Sequence, residues 1–523
     1  MRKEEQLPNT ERISHPTRET LTNWSRTHSC RPNVVYRPTS TAEVSAAIRQ
    51  CHSNGTRVRI VGSGLSPNGI GFSDDSDETA SVLTLELMNR VLQVDKVNKQ
   101  VIVQAGITIG ALLEILHQED LTLENLTSIN WQQLGGLCQV GAHGTGAKLP
   151  PCDEQILAFT LVTPAEGLIR LAQTDQDPTY FNVAKVALGS LGVVTELTLR
   201  CIDKRNLCET VEVWSRREVR KGHWARLAQN RHVTYRWIPY TDWVVVVMAN
   251  FTDQPAADDT HLDQRQAFWV APLLALLAES GGVAENHLLA TLRSQLLTVS
   301  PLDWNHVARV NQAEAEYWKR RMAFPGPPSS RSPEQILTFD CGGSQLVYEV
   351  AFPVEIGTGA DLEFVDKLLD LVESTQLAAP APVEQRWSKG SSSLLSPAGP
   401  FHGVQFDLFS WVGVVLYRPS GDAEESKKLD SVFAEYKDVV QRVSCDMSAA
   451  IPFVATHWAK LEITDPSTVQ KQIQHRYPVE LFNAARIHCD PKGILENKLI
   501  RLMFAGGQQP VQKNPLFVNR PFI

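Results

Sequence analysis

Val61-Gly62-Ser63-Gly64-Leu65-Ser66-Pro67-Asn68-Gly69 follows directly on the strand-forming run Val58-Arg59-Ile60-Val61. Glycines in such a turn let the backbone approach a ligand closely, and successive N–H groups there form an anion-binding nest. Upstream, Val34-Val35-Tyr36 reads as a strand stopped by Pro38, and Ser40-Thr41-Ala42-Glu43 reads as a capping box. Val44, Ala47, Ile48 and Cys51 recur at helical spacing before Asn54-Gly55 ends the stripe. This predicts a β-α-β unit whose glycine-rich loop lies at the carboxyl end of its last strand, where α/β folds bind ligands. A dinucleotide fingerprint needs glycine at 62, 64 and 67, and Pro67 breaks it. The usual nicotinamide site is thereby disfavoured, and a bare tight turn is the plain alternative.

A second unit follows. Val101–Gln104 predicts a strand, and Ile109, Leu112, Leu113 and Leu116 mark a helix face. Gly135-Gly136 and Gly141-Ala142-His143-Gly144-Thr145-Gly146-Ala147-Lys148 approach a P-loop, but Ala147 stands where lysine is required, which disfavours nucleoside triphosphate hydrolysis. Two glycine-rich loops in one domain point to a pyrophosphate held by backbone N–H groups. His143 by itself reads as structural. Strands near 156–163 and 168–171, a helix near 178–187 and a strand at 193–200 complete this α+β region.

From residue 204 the pattern predicts strands at 233–238, 243–248, 345–352 and 405–416. Helical stretches at 262–280 and 359–374, and a loop at Pro325–Pro328, separate them. The fold class is α+β, with a second domain built on an antiparallel sheet. The predicted division is 1–203, opening with a loosely ordered arm at 1–23, then 204–446, then a helical segment at 447–523.

Among the 523 residues, 50 Lys and Arg face 58 Asp and Glu, for a net charge of −8. This argues against nucleic-acid binding by bulk positive charge. The longest apolar run, Phe268–Ala278, contains Pro272 and falls short of the roughly 20 residues a membrane helix needs, so it predicts a core helix. Nine scattered cysteines without a Cys-x-x-Cys pair suggest neither a disulfide framework nor a metal site. The first 20 residues lack a signal-peptide core, and Glu4, Glu5 and Glu11 count against a transit peptide.

Glu384-Gln385-Arg386 sits between Pro382 and Trp387. In an extended segment Glu384 and Arg386 share a face. A carboxylate beside a guanidinium can orient a hydroxylated substrate, or it can be a surface ion pair worth about 0–1 kcal/mol. His457-Trp458-Ala459-Lys460 can set a cation against an aromatic cofactor, or leave a solvated lysine near a packed tryptophan. Cys341, before Gly342-Gly343, reads as a reactive thiol or, more plainly, a buried inert one.

In order and spacing these stretches resemble the aldonolactone oxidoreductases, within the vanillyl-alcohol-oxidase type of FAD-binding proteins, from about Asn23 to about Met503. Val61–Gly71, Val101–Gly106, Gln132–Gly146 with Leu149-Pro150-Pro151, Pro239–Val247, Phe339–Gly343, Glu384–Trp387, Ser410–Gly413 and His457–Lys460 carry the likeness. It implies a two-domain flavoprotein, an FAD-binding domain plus a cap with a large antiparallel sheet. It also implies FAD contacts from Val61, Gly62, Ser63, Gly64, Leu65 and Ser66, from Thr127, Ser128, Gly135 and Gly136, and from Gly141, His143, Gly144, Thr145 and Gly146. Val194 would lie on the adenine side and Lys460 near the flavin N1 and C2 carbonyl, with Glu384 and Arg386 holding the lactone. Leu65 replaces the histidine that attaches FAD covalently in many oxidases of the family, which implies non-covalent FAD. Thr127 occupies the oxygen gate and, being larger than the alanine of family dehydrogenases, implies a dehydrogenase. The implied reaction is oxidation of L-galactono-1,4-lactone in the last step of vitamin C synthesis, with electrons passed to cytochrome c in the mitochondrial intermembrane space. The alternatives are an oxidase of L-gulono- or D-arabinono-1,4-lactone making hydrogen peroxide, and a role with complex I assembly intermediates.

Overall fold

The Val34–Tyr36 strand, the Thr41–Asn54 helix and the Val58–Val61 strand form in the computed structural model as their sequence dictates. The structure describes residues 14–16, 19–74, 77–254, 262–325, 330–338, 344–418 and 423–505. Ser40 Oγ caps the helix by accepting from the Glu43 N–H at 3.3 Å. The Glu43 carboxylate reaches one residue further back than a capping box places it, accepting from the Thr39 N–H at 2.7 Å. Gly55 ends the helix at φ +67, a conformation that costs glycine nothing. The Ser81–Thr84 strand, absent from the sequence reading, lies between the other two and runs parallel to both. Residues Ser14–Pro16 pair antiparallel with Val34–Tyr36. Part of the supposedly loose arm is therefore held by backbone hydrogen bonds, which polar side chains do not advertise.

A second, five-stranded antiparallel sheet follows, in the order Gly167–Ala172, Ile156–Thr163, Val193–Arg200, Gln100–Gln104, Val91–Asp95. Gly135 and Gly136 open the short Leu134–Gln139 helix instead of forming a loop. Burial of Leu134, Leu137 and Cys138 on one side overrides the weak helix preference of glycine.

From residue 206 an eight-stranded antiparallel sheet dominates. Its order is Ser330–Arg331, Asn206–Ser215, Trp243–Thr252, His232–Trp237, Val383–Ser388, Phe409–Tyr417, Gln345–Pro353, Ala455–Thr456. Alternation assigns its two faces. Trp237, Val383, Trp387, Val412 and Val414 join one core with Leu368 and Phe433 of the Ala360–Ser374 and Ala423–Asp446 helices. Val245, Ile238 and Tyr417 face the other way. They pack with Leu273, Leu292 and Trp318 of the Leu262–Glu279, Leu289–Val299 and Trp304–Ala323 helices. With Val383 and Trp387 on the first face, Glu384 and Arg386 are left on the second.

The remaining core joins residues between Tyr36 and Cys201 with residues between Leu395 and Phe504, so the end of the chain packs against its beginning. The buried Arg59 guanidinium fastens this seam, donating to the carbonyls of Ile70 (2.6 Å), Leu188 (3.0 Å) and Leu495. Among the described residues no helix is long and apolar enough to cross a membrane, and eight cysteines are free thiols. Cys341 and the Phe339–Gly343 stretch lie outside the described residues, as does most of the Pro325–Pro328 loop.

Gly106 shows how tightly the first domain closes. A Cβ there would collide with the backbone carbonyls of Leu85 and Met88. Gly106→Ala should lower stability by about 3 kcal/mol, the upper range for overpacking a core. Urea denaturation of the variant checks this, and an unchanged midpoint would show that the Leu85–Met88 turn yields.

Candidate active site

Strand register places Arg236, Glu384, Gly413 and Glu349 in one row across four neighbouring strands. Cross-strand partners point to the same side of a sheet, so the row shares the face left to Glu384 and Arg386. Gly413 contributes no side chain, and a Cβ there would lie 3.6 Å from Glu349 Oε1. Across this gap Arg386 Nη2 donates to Glu349 Oε1 at 2.8 Å. Arg386 Nη1 donates to Ser128 Oγ at 3.0 Å, and its Nε lies 3.3 Å from Glu384 Oε2. Glu384 and Arg386 are thus neighbours on one strand face, as the sequence predicts. The pair is largely shielded from water, however, with the Arg386 side chain only 11% exposed.

Lys460 reaches the same carboxylate from the other side, pairing with Glu349 Oε2. It ends the Trp458–Lys460 turn, capped by His457, whose Nδ1 accepts from the Ala459 N–H at 3.1 Å. The His457 N–H donates to the Glu349 carbonyl at 3.0 Å. One residue therefore anchors both the backbone and the cation of that segment. His143 stacks on Trp411 with ring centroids 3.6 Å apart, and its Nε2 lies 3.2 Å from Glu349 Oε1.

The electrostatics follow from this packing. Burial alone would raise the Glu349 pKa, but Lys460, His143 and Arg386 together hold it well below the ordinary 4.5. Burial would lower that of Arg386, yet Glu384 and Glu349 outweigh it and raise the value. Burial pushes His143 down to about 4 against the pull of Glu349. It also drives His457 well down, helped by Lys460. At neutral pH the site holds two carboxylates, two cations and two neutral imidazoles. Ligand atoms of His143, Glu349 and His457 lie within 4.8 Å of one another. A metal ion there would face Lys460 and Arg386, which already occupy both Glu349 oxygens.

These groups form the middle of a cavity of about 600 Å³, within the usual range for small-molecule sites. Val61, Gly62, Ser63, Gly64, Leu65 and Ser66 line it, together with Thr127, Gly135, Gly136 and Val194, and Ser128, His143, Glu384, Arg386 and Lys460 line it beside Glu349. Gly141, Gly144, Thr145 and Gly146 are not in its wall. Gly141 backs onto Pro397, and Gly144 onto Asn125 and Leu126. The Thr145 hydroxyl donates to the Val233 carbonyl. The Gly146 N–H donates to the Trp387 carbonyl at 2.7 Å. Thr145 and Gly146 thus join the first domain to the large sheet.

The glycine loop is held from behind. Asn23 Nδ2 donates to the Ser66 and Pro67 carbonyls at 2.9 and 3.1 Å. Asn68 Nδ2 donates to the carbonyls of Trp458 (2.8 Å) and Leu461 (2.7 Å), tying the loop to the Lys460 turn. Gly64 sits at φ +66. A Cβ on Gly136 would meet no atom within 4 Å, so bare backbone faces the space. A wall of glycine backbone with a buried cation beyond it fits a dinucleotide that carries an anionic pyrophosphate and an electron-accepting ring. The Thr127 hydroxyl is committed, donating to Gln132 Oε1 at 2.5 Å.

Sequence reasoning missed Glu349. The signal was a lone carboxylate inside the apolar strand Leu346-Val347-Tyr348-Glu349-Val350-Ala351-Phe352, since a charge there demands partners.

Residues 32–172 match the FAD binding domain family, and residues 197–503 match the D-arabinono-1,4-lactone oxidase family. The chain is 40% identical over 504 residues to L-galactono-1,4-lactone dehydrogenase 1, mitochondrial, of Oryza sativa subsp. japonica, covering 92% of this chain and 83% of that protein. It is 40% identical to L-galactono-1,4-lactone dehydrogenase, mitochondrial, of Arabidopsis thaliana, at 93% and 81% coverage. L-gulonolactone oxidase of Bos taurus is 29% identical, at 92% and 97%. Among solved structures, cholesterol oxidase from Brevibacterium sterolicum superposes with a TM-score of 0.74 at 14% identity, over 95% of this chain and 99% of the other. That likeness shows the fold alone, an α+β chain with a large antiparallel sheet. The chain belongs to the aldonolactone oxidoreductase family of FAD-dependent enzymes.

Glu349→Gln keeps the shape of this centre and removes its charge, leaving Arg386 and Lys460 with one carboxylate between them. The variant should lose about 3 kcal/mol of stability at pH 7, as for a broken buried ion pair. Lactone oxidation should fall about a hundredfold as the cations shift. Because the Glu349 pKa is depressed in the folded state, its stabilisation is complete above about 4.5 and is lost as pH falls below it. Denaturation at pH 7 and pH 4 should therefore separate wild type from variant more at the higher pH.

Proposed function

We propose that this family member oxidises L-galactono-1,4-lactone to L-ascorbate, with non-covalent FAD as the immediate acceptor and cytochrome c as the next. The observation that carries the reading is the ion-paired run Glu384–Arg386–Glu349–Lys460 around the buried Glu349. It lies in the middle of a cavity whose far wall is glycine backbone. A neutral lactone offers a carbonyl that accepts and hydroxyls that donate and accept; Arg386 and Glu384 present the complementary donor and acceptor side by side. Bound FAD supplies the acceptor for the hydride that leaves the substrate carbon.

The chain's own residues do the rest. Arg386 donates to a lactone oxygen while Glu349 and Glu384 fix its plane, and Glu384 accepts from a lactone hydroxyl. Lys460 keeps a positive charge where negative charge develops, and its segment cannot drift because His457 is bonded to Glu349. Positioning of this kind supplies up to about 7–11 kcal/mol of a barrier, so no nucleophile is required. Val61–Ser66, Thr127, Ser128, Gly135, Gly136 and Val194 would hold the FAD, and Lys460 would serve its N1 and C2 carbonyl edge. The chain divides at 203/204 and 446/447, with the last segment returning to the first domain.

Dehydrogenase chemistry is favoured over oxidase chemistry by the higher identity to the plant dehydrogenases than to the bovine oxidase. Thr127 adds support, its hydroxyl turned to Gln132 and the residue buried at the cavity wall. Leu65 has no nucleophile for a flavin bond. The mitochondrial relatives support a mitochondrial location. The intermembrane-space side, cytochrome c and any association with complex I assembly intermediates complete the proposal.

Acid precipitation of the purified holoenzyme should release its flavin completely; flavin that stays with the pellet would sink the non-covalent reading. Under argon, L-galactono-1,4-lactone should bleach the visible flavin bands. They should stay bleached in air until cytochrome c is added. Rapid recolouring in air with peroxide would identify an oxidase, and a flavin that never bleaches would remove the substrate.

A further inference from the structure

The cavity does not end at Glu384. It continues over the same sheet face beneath the helices, where Arg236, Thr291, Glu314 and Trp318 line it. Glu314 belongs to the Trp304–Ala323 helix and is 2% exposed. Its Oε1 accepts from Trp318 Nε1 at 3.3 Å and from Arg293 Nη1 at 3.4 Å. Its Oε2 is buried and has no hydrogen-bond partner among the described residues. A buried carboxylate oxygen without a donor is costly and marks a place where a donor belongs.

Arg236 faces this space from the sheet. It is the cross-strand partner of Glu384, its guanidinium lies 5.5 Å above the Trp318 ring, and among the described residues it pairs with no carboxylate. Arg293, the partner of Glu314, also donates to the Ala381 carbonyl at 3.1 Å, three residues before Glu384. Glu384, Arg236, Trp318 and Glu314 therefore form a continuous line from the centre of the site into the cap.

A donor-only cation and an acceptor-only carboxylate facing one space complement a polyol, whose hydroxyls both donate and accept. We propose that Arg236 and Glu314 form the subsite for the hydroxylated side chain of an aldono-1,4-lactone. The Glu314 carboxylate accepts and Arg236 donates, while the ring lies at Glu384 and Arg386. This rests on the lactone reading above and adds the residues that discriminate among lactones.

The test compares holoenzymes of wild type, Glu314→Gln and Arg236→Met on two substrates. L-galactono-1,4-lactone carries a two-carbon dihydroxy side chain, and 2,3-dihydroxy-γ-butyrolactone has the ring without it. In each variant the ratio of kcat/KM values, first substrate over second, should fall about ten- to hundredfold, as for one hydrogen bond to a charged group. The loss should appear mainly in KM. An unchanged ratio overturns the subsite, and a parallel loss on both lactones with a lower Tm makes Glu314 a structural carboxylate instead. Arg236 is partly exposed, so its variant decides the matter should Glu314→Gln fail to fold. Wild-type flavin that neither lactone reduces overturns the lactone reading and the subsite together, a result that needs no variant.

Discussion

Glu349 is the constraint on which the site depends. A carboxylate buried this deeply survives only because Arg386 and Lys460 approach its two oxygens from opposite sides. The dependence is mutual, since both cations are themselves mostly shielded from water and would be expensive to bury alone. The arrangement also works as a ruler. Arg386 can reach Glu349 only because Gly413 leaves the intervening position of the row without a side chain. The result is a centre with no net charge and two cations already in place, which does not have to reorganise when charge develops.

The glycine loop is shaped by the same economy of means. Backbone that leaves its N–H groups toward a ligand must still satisfy its carbonyls. Asparagines from distant parts of the chain do this. Asn23 takes Ser66 and Pro67, and Asn497 takes the Gly69 and Phe72 carbonyls at 3.0 and 2.9 Å. Asn68 on the loop itself bonds to the Lys460 segment. The loop, the cation and the end of the chain are thus one rigid construction, preorganised so that little ordering cost remains when a ligand arrives.

Much of this was legible in the residues. The first β-α-β unit, four strands of the large sheet and the Glu384–Arg386 pairing follow from period-2 and period-3.6 patterns and from capping and turn chemistry, whereas the Asn206–Ser215 strand of that sheet went unread. The misreadings share a cause. Gly135-Gly136 looked like a loop because glycine is a poor helix former, and neighbouring burial decided otherwise. The Ser81–Thr84 strand and the Ser14–Pro16 pairing were invisible because each is short and rests on partners distant in sequence. The Gly141–Gly146 run has glycine spacing close to that of a phosphate loop, and local spacing gave no sign that its Thr145 and Gly146 bond to Val233 and Trp387 of the large sheet.

The sequence by itself determined the local elements, the place of the glycine loop after its strand, and the shared face of Glu384 and Arg386, because each follows from interactions within a few residues. Only the tertiary structure decided that this pair is shielded from water, that Glu349 stands between Arg386 and Lys460, and that Arg236 and Glu314 line one continuous cavity. Register across strands and burial against helices depend on the whole chain closing at once, and no local pattern encodes which distant side chains will share the space.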